Sequence, residues 1–226
     1  MKIGIIGGGS VGQTLGAKLI ANGHDVLLGI RSPSQSEFDK ERSMAETISA
    51  WIKKTGGKVV SFADAAKHGD IIINATSGGV SLDALKQAGA YNLKGKVLID
   101  IANPLDFSKG MPPSVLAQYT QGTSVGEEIQ RAFPDTLVVK AFNTITAAVM
   151  VQPSLVKGDH DLLISGNDEA AKKTVSAFAR KEFGWQSIVD LGDIVGARGT
   201  EHYLPLWVRL MGATGSPFFN IKIVKG

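Results

Sequence analysis

Short apolar runs alternate with stretches of helical periodicity along nearly the whole chain. Lys2-Ile3-Gly4-Ile5-Ile6 is too short for a helix and runs straight into glycines, which predicts a buried strand. From Ser10 to Ala21 the apolar residues Val11, Leu15, Leu19 and Ile20 recur at helical spacing, with Gly23 beyond the end as a cap. Asp25 to Ile30 is again short and apolar. Strand, helix and strand within about 30 residues make a βαβ unit, whose crossover is right-handed and whose strands are parallel.

The same alternation predicts helices at Met44 to Lys54, Ala63 to His68 and Asp168 to Phe183. Further strands are expected at Val59 to Phe62, Asp70 to Ala75, Val97 to Ile101, Leu137 to Ala141, Leu162 to Ser165 and Ser187 to Leu191. Asp168 and Gly184 bracket the last of these helices as caps, and Ser124-Val125-Gly126-Glu127 reads as a capping box opening another. Asp106 to Pro113 carries prolines and small breakers and reads as an irregular loop. Gly196 to Met211 reads as one helix with Tyr203, Leu204, Trp207, Leu210 and Met211 on its apolar face, stopped at Gly212, before a strand-like tail at Asn220 to Val224.

Continuous apolar strands alternating with helices define the fold class as α/β, a Rossmann-like doubly wound parallel sheet with a small C-terminal helical extension. The expected division is a dinucleotide-binding unit over 1–195 and a helix and tail over 196–226 that pack on it. The chain has 226 residues, 43% of them hydrophobic and 20% charged, which suits an ordinary folded protein and excludes a disordered one. No apolar run reaches membrane-spanning length and no signal-peptide pattern opens the chain, so a cytoplasmic location without membrane partners is expected. Zero cysteines exclude disulfides, thiolate metal sites and cysteine nucleophiles, so any redox chemistry needs a borrowed cofactor. The net charge of +3 is scattered. The Lys172, Lys173, Arg180, Lys181 group reads as a solvated helix face rather than a nucleic-acid surface.

Gly7-Gly8-Gly9-Ser10-Val11-Gly12 matches G-x-G-x-x-G, after a predicted strand and opening a predicted helix. The first glycine makes the turn, the second admits a pyrophosphate to the backbone and the third lets helix and strand pack. Free N–H groups and the positive end of the helix dipole then hold the anion. An NAD-preferring site would end the second strand with a carboxylate for the ribose 2′-hydroxyl. Here it ends Leu28-Gly29-Ile30-Arg31-Ser32, with no acid to repel a 2′-phosphate and two donors to hold one, so NADP is the expected dinucleotide.

In an open α/β sheet the ligand lies beyond the carboxyl ends of the strands. Those ends are Asn74-Ala75-Thr76-Ser77, Ile101-Ala102-Asn103-Pro104 and Lys140-Ala141-Phe142-Asn143-Thr144, so Thr76, Ser77, Asn103, Pro104, Ala141 and Asn143 join the expected cofactor site. Thr76, Asn103 and Ala141 are expected to border the nicotinamide. No acid–base motif accompanies them, no metal site is apparent, and His24, His68, His160 and His202 all read as structural. Hydride transfer by positioning alone fits, because the cofactor carries the reactivity. A non-catalytic NADP-binding sensor docking through the Tyr203, Trp207, Met211 face is the alternative. A hydroxyacid dehydrogenase would need a far longer helical domain after Gly196.

At the Gly7 to Gly12 loop, Gly29-Ile30-Arg31-Ser32, Val138 to Thr144, Leu204-Pro205-Leu206-Trp207 and Phe219-Asn220-Ile221-Lys222, the chain resembles the NADPH-dependent coenzyme F420 reductase family. The resemblance implies a Rossmann-like domain with a small C-terminal part, a homodimer, and hydride exchange between NADPH and a 5-deazaflavin. Lys140-Ala141-Phe142-Asn143 is similar as well to the cytoplasmic reductase domain of STEAP metalloreductases, so a flavin or ferric acceptor stays open beside coenzyme F420.

Overall fold

The computed structural model describes residues 1–42 and 44–226. Its strands are β1 (Lys2–Ile6), β2 (Asp25–Ile30), β3 (Lys58–Ser61), β4 (Ile71–Asn74), β5 (Val97–Asp100), β6 (Leu105–Asp106), β7 (Ser114–Val115), β8 (Leu137–Ala141), β9 (Asp161–Gly166) and β10 (Ser187–Asp190). Eight of them form one sheet in the order β10-β9-β8-β5-β4-β1-β2-β3. The six strands from β3 to β8 in that order are parallel.

The helices are α1 (Ser10–Ala21), α2 (Gln35–Phe38), α3 (Ile48–Thr55), α4 (Phe62–His68), α5 (Ser81–Ala88), α6 (Ala90–Leu93), α7 (Val125–Ala132), α8 (Ala147–Val151), α9 (Glu169–Phe178), α10 (Ala197–His202) and α11 (Leu204–Thr214). They cover both faces of the sheet. Ile3, Ile5, Ile71, Ile73 and Val139 pack with Leu15, Leu19, Trp51, Val149 and Val175 on one side. Ile6, Ile72, Leu98 and Val138 pack with Ala65, Leu85, Val125, Ile129 and Ala197 on the other. Neighbouring residues of β4 thus serve opposite cores, as the two-residue period of a strand requires. Each fully buried isoleucine or leucine contributes about 1.5–3 kcal/mol. The rings of Trp51 and Trp185 are buried but not orphaned, since each indole N–H donates to a carbonyl, Gln13 and Met150 respectively, at 2.9 Å.

Two strands depart from the parallel expectation. β9 runs antiparallel to β8, and β10 follows it in parallel. Residues 142–160 hold the five-residue α8 and the single turn Pro153–Leu155, and the chain enters β9 at the end where it left β8.

Other boundaries moved for local reasons. The helix expected from Met44 begins at Ile48, because the Thr47 side chain accepts from Ala50 N–H and caps it there. The loop at Asp106 to Pro113 connects a short antiparallel hairpin, β6–β7. The expected single C-terminal helix is two, breaking at Tyr203 just before Pro205, which has no N–H to donate and sits in the first turn of α11. It stops at Gly215 in the left-handed region rather than at Gly212. Lys172 is also not solvated, as its ammonium lies 2.7 Å from Glu169 and 2.8 Å from Asp190 with the side chain buried.

The tail at Asn220 to Val224 forms no ladder strand but is tied to the start of β9. Asp161 N–H donates to Ile221 carbonyl, and the Asp161 carboxylate accepts from Ile223 N–H at 2.6 Å and from Lys222 at 3.0 Å. Burial pushes the Asp161 carboxyl up, but Ile223 N–H, Ser187 and Lys222 outweigh it and hold the group below its ordinary range. A carboxylate with a depressed folded pKa stabilises above its unfolded value and loses that contribution as pH falls through the folded one. Asp161→Ala is expected to speed amide exchange at residues 221–224 by roughly tenfold while exchange in β1 and β4 stays unchanged, a difference local opening permits.

Candidate functional site

The phosphate loop carries its glycines for three separate reasons. Gly7 has φ 122°, and a Cβ there would lie 2.6 Å from the Ala75 carbonyl. A Cβ on Gly12 would sit 1.9 Å from the Gly7 carbonyl, so helix and strand meet only because it is absent. Gly9 is the contrast, with nothing within 4 Å of the same position and no side chain capping α1. The loop therefore presents open space and the unpaired N–H groups of a 12-residue helix, a cradle for an anion. Gly8 closes its side, where a Cβ would meet Ile30 at 2.6 Å.

Beside this loop, the end of β2 opens into a cleft of about 270 Å³ lined by Gly8, Ile30, Arg31, Ser32, Glu37, Lys40, Arg42 and Phe62. Arg31 and Ser32 are where the strand pattern put them, both exposed. The expectation of a cleft without a carboxylate is corrected here. Glu37 of α2 lines it, with Lys40 at 3.8 Å and Arg42 at 3.2 Å. Lys40 and Arg42 were missed because nothing local in the sequence says that this segment folds back over the end of β2.

At the sheet's carboxyl edge a buried polar network underlies the crevice. Asn74 donates to Asp100 at 2.8 Å and to Ser81 at 3.2 Å, and the Thr76 hydroxyl donates to Asn74 Oδ1 at 2.7 Å. Asp100 takes the Lys140 ammonium at 2.8 Å, and Lys140 also lies 2.8 Å from Glu201 of α10. All three charged side chains are at most 1% exposed. Burial works against the Lys140 ammonium, but Asp100 and Glu201 outweigh it, and its pKa is raised. Glu201 in turn accepts from Val125 N–H at 2.8 Å and Gly126 N–H at 3.0 Å, filling the N-terminus of α7. A charged residue inside an otherwise apolar strand must be paired, and Val138-Val139-Lys140-Ala141 carried that signal without naming the partners.

The other expected site residues divide by exposure. Thr76 and Asn103 are half-buried and Ser77 is exposed, all just beyond the carboxyl ends of β4 and β5. Ala141 is wholly buried, and Pro104 and Asn143 are buried too, so the ligand surface expected of Ala141 is not present. Asn143 acts through its neighbour instead. Asn103 donates to the Asn143 carbonyl at 2.7 Å while Asn143 donates to Asn103 Oδ1 at 3.0 Å, joining two strand ends. Between Ala141 and Asn143, Phe142 has φ 64°, the one positive φ outside glycine among the described residues, and edge contacts with Phe183 and Trp185 hold it there. Such a conformation costs about 1–2 kcal/mol per residue and here turns the backbone at the crevice floor.

Each histidine has a structural partner. His24 lies 2.7 Å from Glu182, while His68, His160 and His202 contact the carbonyls of Asp25, Pro153 and Tyr119. Among the described residues no group of acids and histidines could hold a metal ion, and no helix is long and apolar enough to cross a membrane.

The family profile described as NADP oxidoreductase coenzyme F420-dependent matches residues 2–104. Over 99% of this chain and 100% of the relative, the sequence is 32% identical to the F420-dependent NADP reductase of Methanocaldococcus jannaschii. The chain belongs to the F420-dependent NADP oxidoreductase family. Within that family it is an NADP-dependent oxidoreductase, in keeping with the open loop at Gly9 and the basic cleft at the end of β2. A solved structure from Arthrobacter sp. FB24, provisionally named an F420-dependent NADP reductase, superposes with a TM-score of 0.91 at 44% identity, each chain covered in full. Metalloreductase STEAP3 of Rattus norvegicus is 30% identical over 91% of this chain, which spans 38% of that protein's length.

Proposed function

We propose that this enzyme transfers hydride between NADP(H) and coenzyme F420, a 5-deazaflavin. The full-length relationship to an F420-dependent NADP reductase carries the reading. In it, the Gly7 to Gly12 loop and the N-terminus of α1 hold the pyrophosphate, and Arg31 and Ser32 receive the 2′-phosphate. Thr76, Ser77 and Asn103 border the nicotinamide, backed by Pro104, Ala141 and Asn143. The dinucleotide supplies the hydride chemistry when bound, and the chain's residues bind, orient and exclude water. No free acid or base is needed at the crevice, and Lys140, pinned between two carboxylates, is not one.

Residues 196–226 form the acceptor side in this proposal. An apolar groove of about 430 Å³ runs between Met111 and Pro112 of the β6–β7 hairpin and Val208, Arg209 and Met211 of α11. Its single cation and apolar walls suit a flat heteroaromatic ring with an anionic tail. Leu206 on the same helix is 55% exposed, which supports the family's homodimer. The STEAP3 likeness favours a second reading, in which a flavin or ferric chelate takes the electrons.

Mixing the enzyme with NADPH and coenzyme F420, free flavin, a quinone or ferric citrate separates these. Fast, saturable bleaching of the deazaflavin, with the others at least about a hundredfold slower, is the expected result. Reduction of flavin or iron at a comparable rate would give the second reading, and tight NADPH binding with no acceptor reduced would favour the sensor.

A further inference from the structure

The 2′-phosphate cleft holds an acid that its assignment does not explain. Glu37 sits among Arg31, Lys40 and Arg42, three cations against one anion. Its grip on Arg42 is incomplete. Only Nη2 of the guanidinium reaches it, at 3.2 Å from Oε1 and 3.4 Å from the backbone carbonyl. The Arg42 Nε is buried with no partner among the described residues. An arginine fork satisfied on one nitrogen and orphaned on the next is set for an acceptor with several oxygens, which can take both N–H groups side by side. Glu37 has a way out, since its side chain is one-third exposed.

We propose that Glu37 is a built-in stand-in for the 2′-phosphate, holding Arg42 and Lys40 in the cleft until NADP(H) displaces it, and that Arg42 with Glu37 sets the preference of this enzyme for NADP(H) over NAD(H). The proposal rests on the cofactor reading above. Once the carboxylate has left, three cations face the charge of about −2 on a phosphate monoester at neutral pH. On binding, the phosphate oxygens take Arg42 Nε and Nη2 together with Arg31 and Ser32, and the Glu37 carboxylate moves to solvent. No proton or bond changes hands. NAD(H) offers only a 2′-hydroxyl, which cannot displace a carboxylate from two cations, so Arg42 stays with Glu37 when NAD(H) binds. The carboxylate therefore taxes the 2′-phosphorylated ligand alone.

Calorimetric titration with NADPH, NADH, 2′,5′-ADP and 5′-ADP tests this on the wild type, Glu37→Gln, Arg42→Ala and the double variant. Glu37→Gln is expected to tighten NADPH and 2′,5′-ADP by about three- to tenfold and leave NADH and 5′-ADP within about twofold. Arg42→Ala is expected to weaken NADPH by about tenfold or more without changing NADH, and the gain from Glu37→Gln is expected to vanish in its background. A loss of NADPH affinity in Glu37→Gln, or an equal shift for NADPH and NADH, would overturn the proposal. Arg31→Ala distinguishes the two levels. If it collapses the NADPH to NADH ratio while the Glu37 and Arg42 variants are silent, the cleft remains the 2′-phosphate site and the stand-in role is wrong. If the wild type binds 2′,5′-ADP no tighter than 5′-ADP, the cofactor assignment of the cleft falls, and the proposal with it.

Discussion

Lys140→Met is expected to destabilise the protein by about 3–5 kcal/mol at pH 7, a large share of the roughly 5–15 kcal/mol that holds a domain folded. The methionine fills much of the space, so packing is not the cause. What is lost is the one cation between Asp100 and Glu201, each 2.8 Å from the ammonium and each at most 1% exposed. Two buried carboxylates are then left facing each other, and each keeps only its neutral donors, Asn74 and Ala102 N–H for Asp100 and Val125 and Gly126 N–H for Glu201. Urea denaturation of both proteins at pH 7 measures the difference. A deficit under about 1 kcal/mol would mean the ion network does not carry this part of the fold. Glu201→Gln is expected to cost less, because Lys140 and Asp100 remain a matched pair.

The second large effect separates two glycines of the phosphate loop. Gly9→Ala is expected to leave the folded protein within about 1 kcal/mol of wild type, since nothing lies within 4 Å of the added methyl and only a glycine N-cap is exchanged. It is nonetheless expected to weaken NADPH by about a hundredfold, because the methyl fills the space through which a pyrophosphate reaches the α1 N–H groups. Gly12→Ala puts its methyl 1.9 Å from the Gly7 carbonyl, so the loop or the helix must move whether or not a ligand is present. Both stability and binding are expected to fall, the former by about 1–3 kcal/mol as for other overpacked sites. Thermal unfolding alongside NADPH fluorescence titration reads the two quantities separately. Equal losses of stability in the two variants would show that Gly9 serves packing and that the open space beside it is not a ligand path.

These two predictions differ in how far along the chain their causes lie, and that difference marks what was legible. β1, the glycine loop, α1 and β2 could be read directly, because each is fixed by contacts within a turn or by a two-residue alternation. Arg31 and Ser32 follow from them by simple adjacency. The Asp168 and Ser124 caps were visible for the same reason, and both accept from the N–H three residues on, as expected. The direction of β9 was not visible, because it depends on whether residues 142–160 can carry the chain back across the sheet. Glu37, Lys40 and Arg42 were ordinary surface charges until α2 and the segment after it were laid over the end of β2.

By itself, then, the sequence determined an alternating α/β chain, a glycine-rich turn between its first strand and first helix, and a second strand ending in a cation rather than an acid. These rest on backbone sterics and on periodicities of two and 3.6 residues, which act between near neighbours. Only the tertiary structure decided that Lys140 meets Asp100 forty residues away and Glu201 sixty-one away, that Asn103 and Asn143 lock two strand ends together, and that the cleft at the end of β2 contains a carboxylate. Burial and charge pairing choose partners by position in space, and no local pattern of residues records which distant side chain arrives beside which.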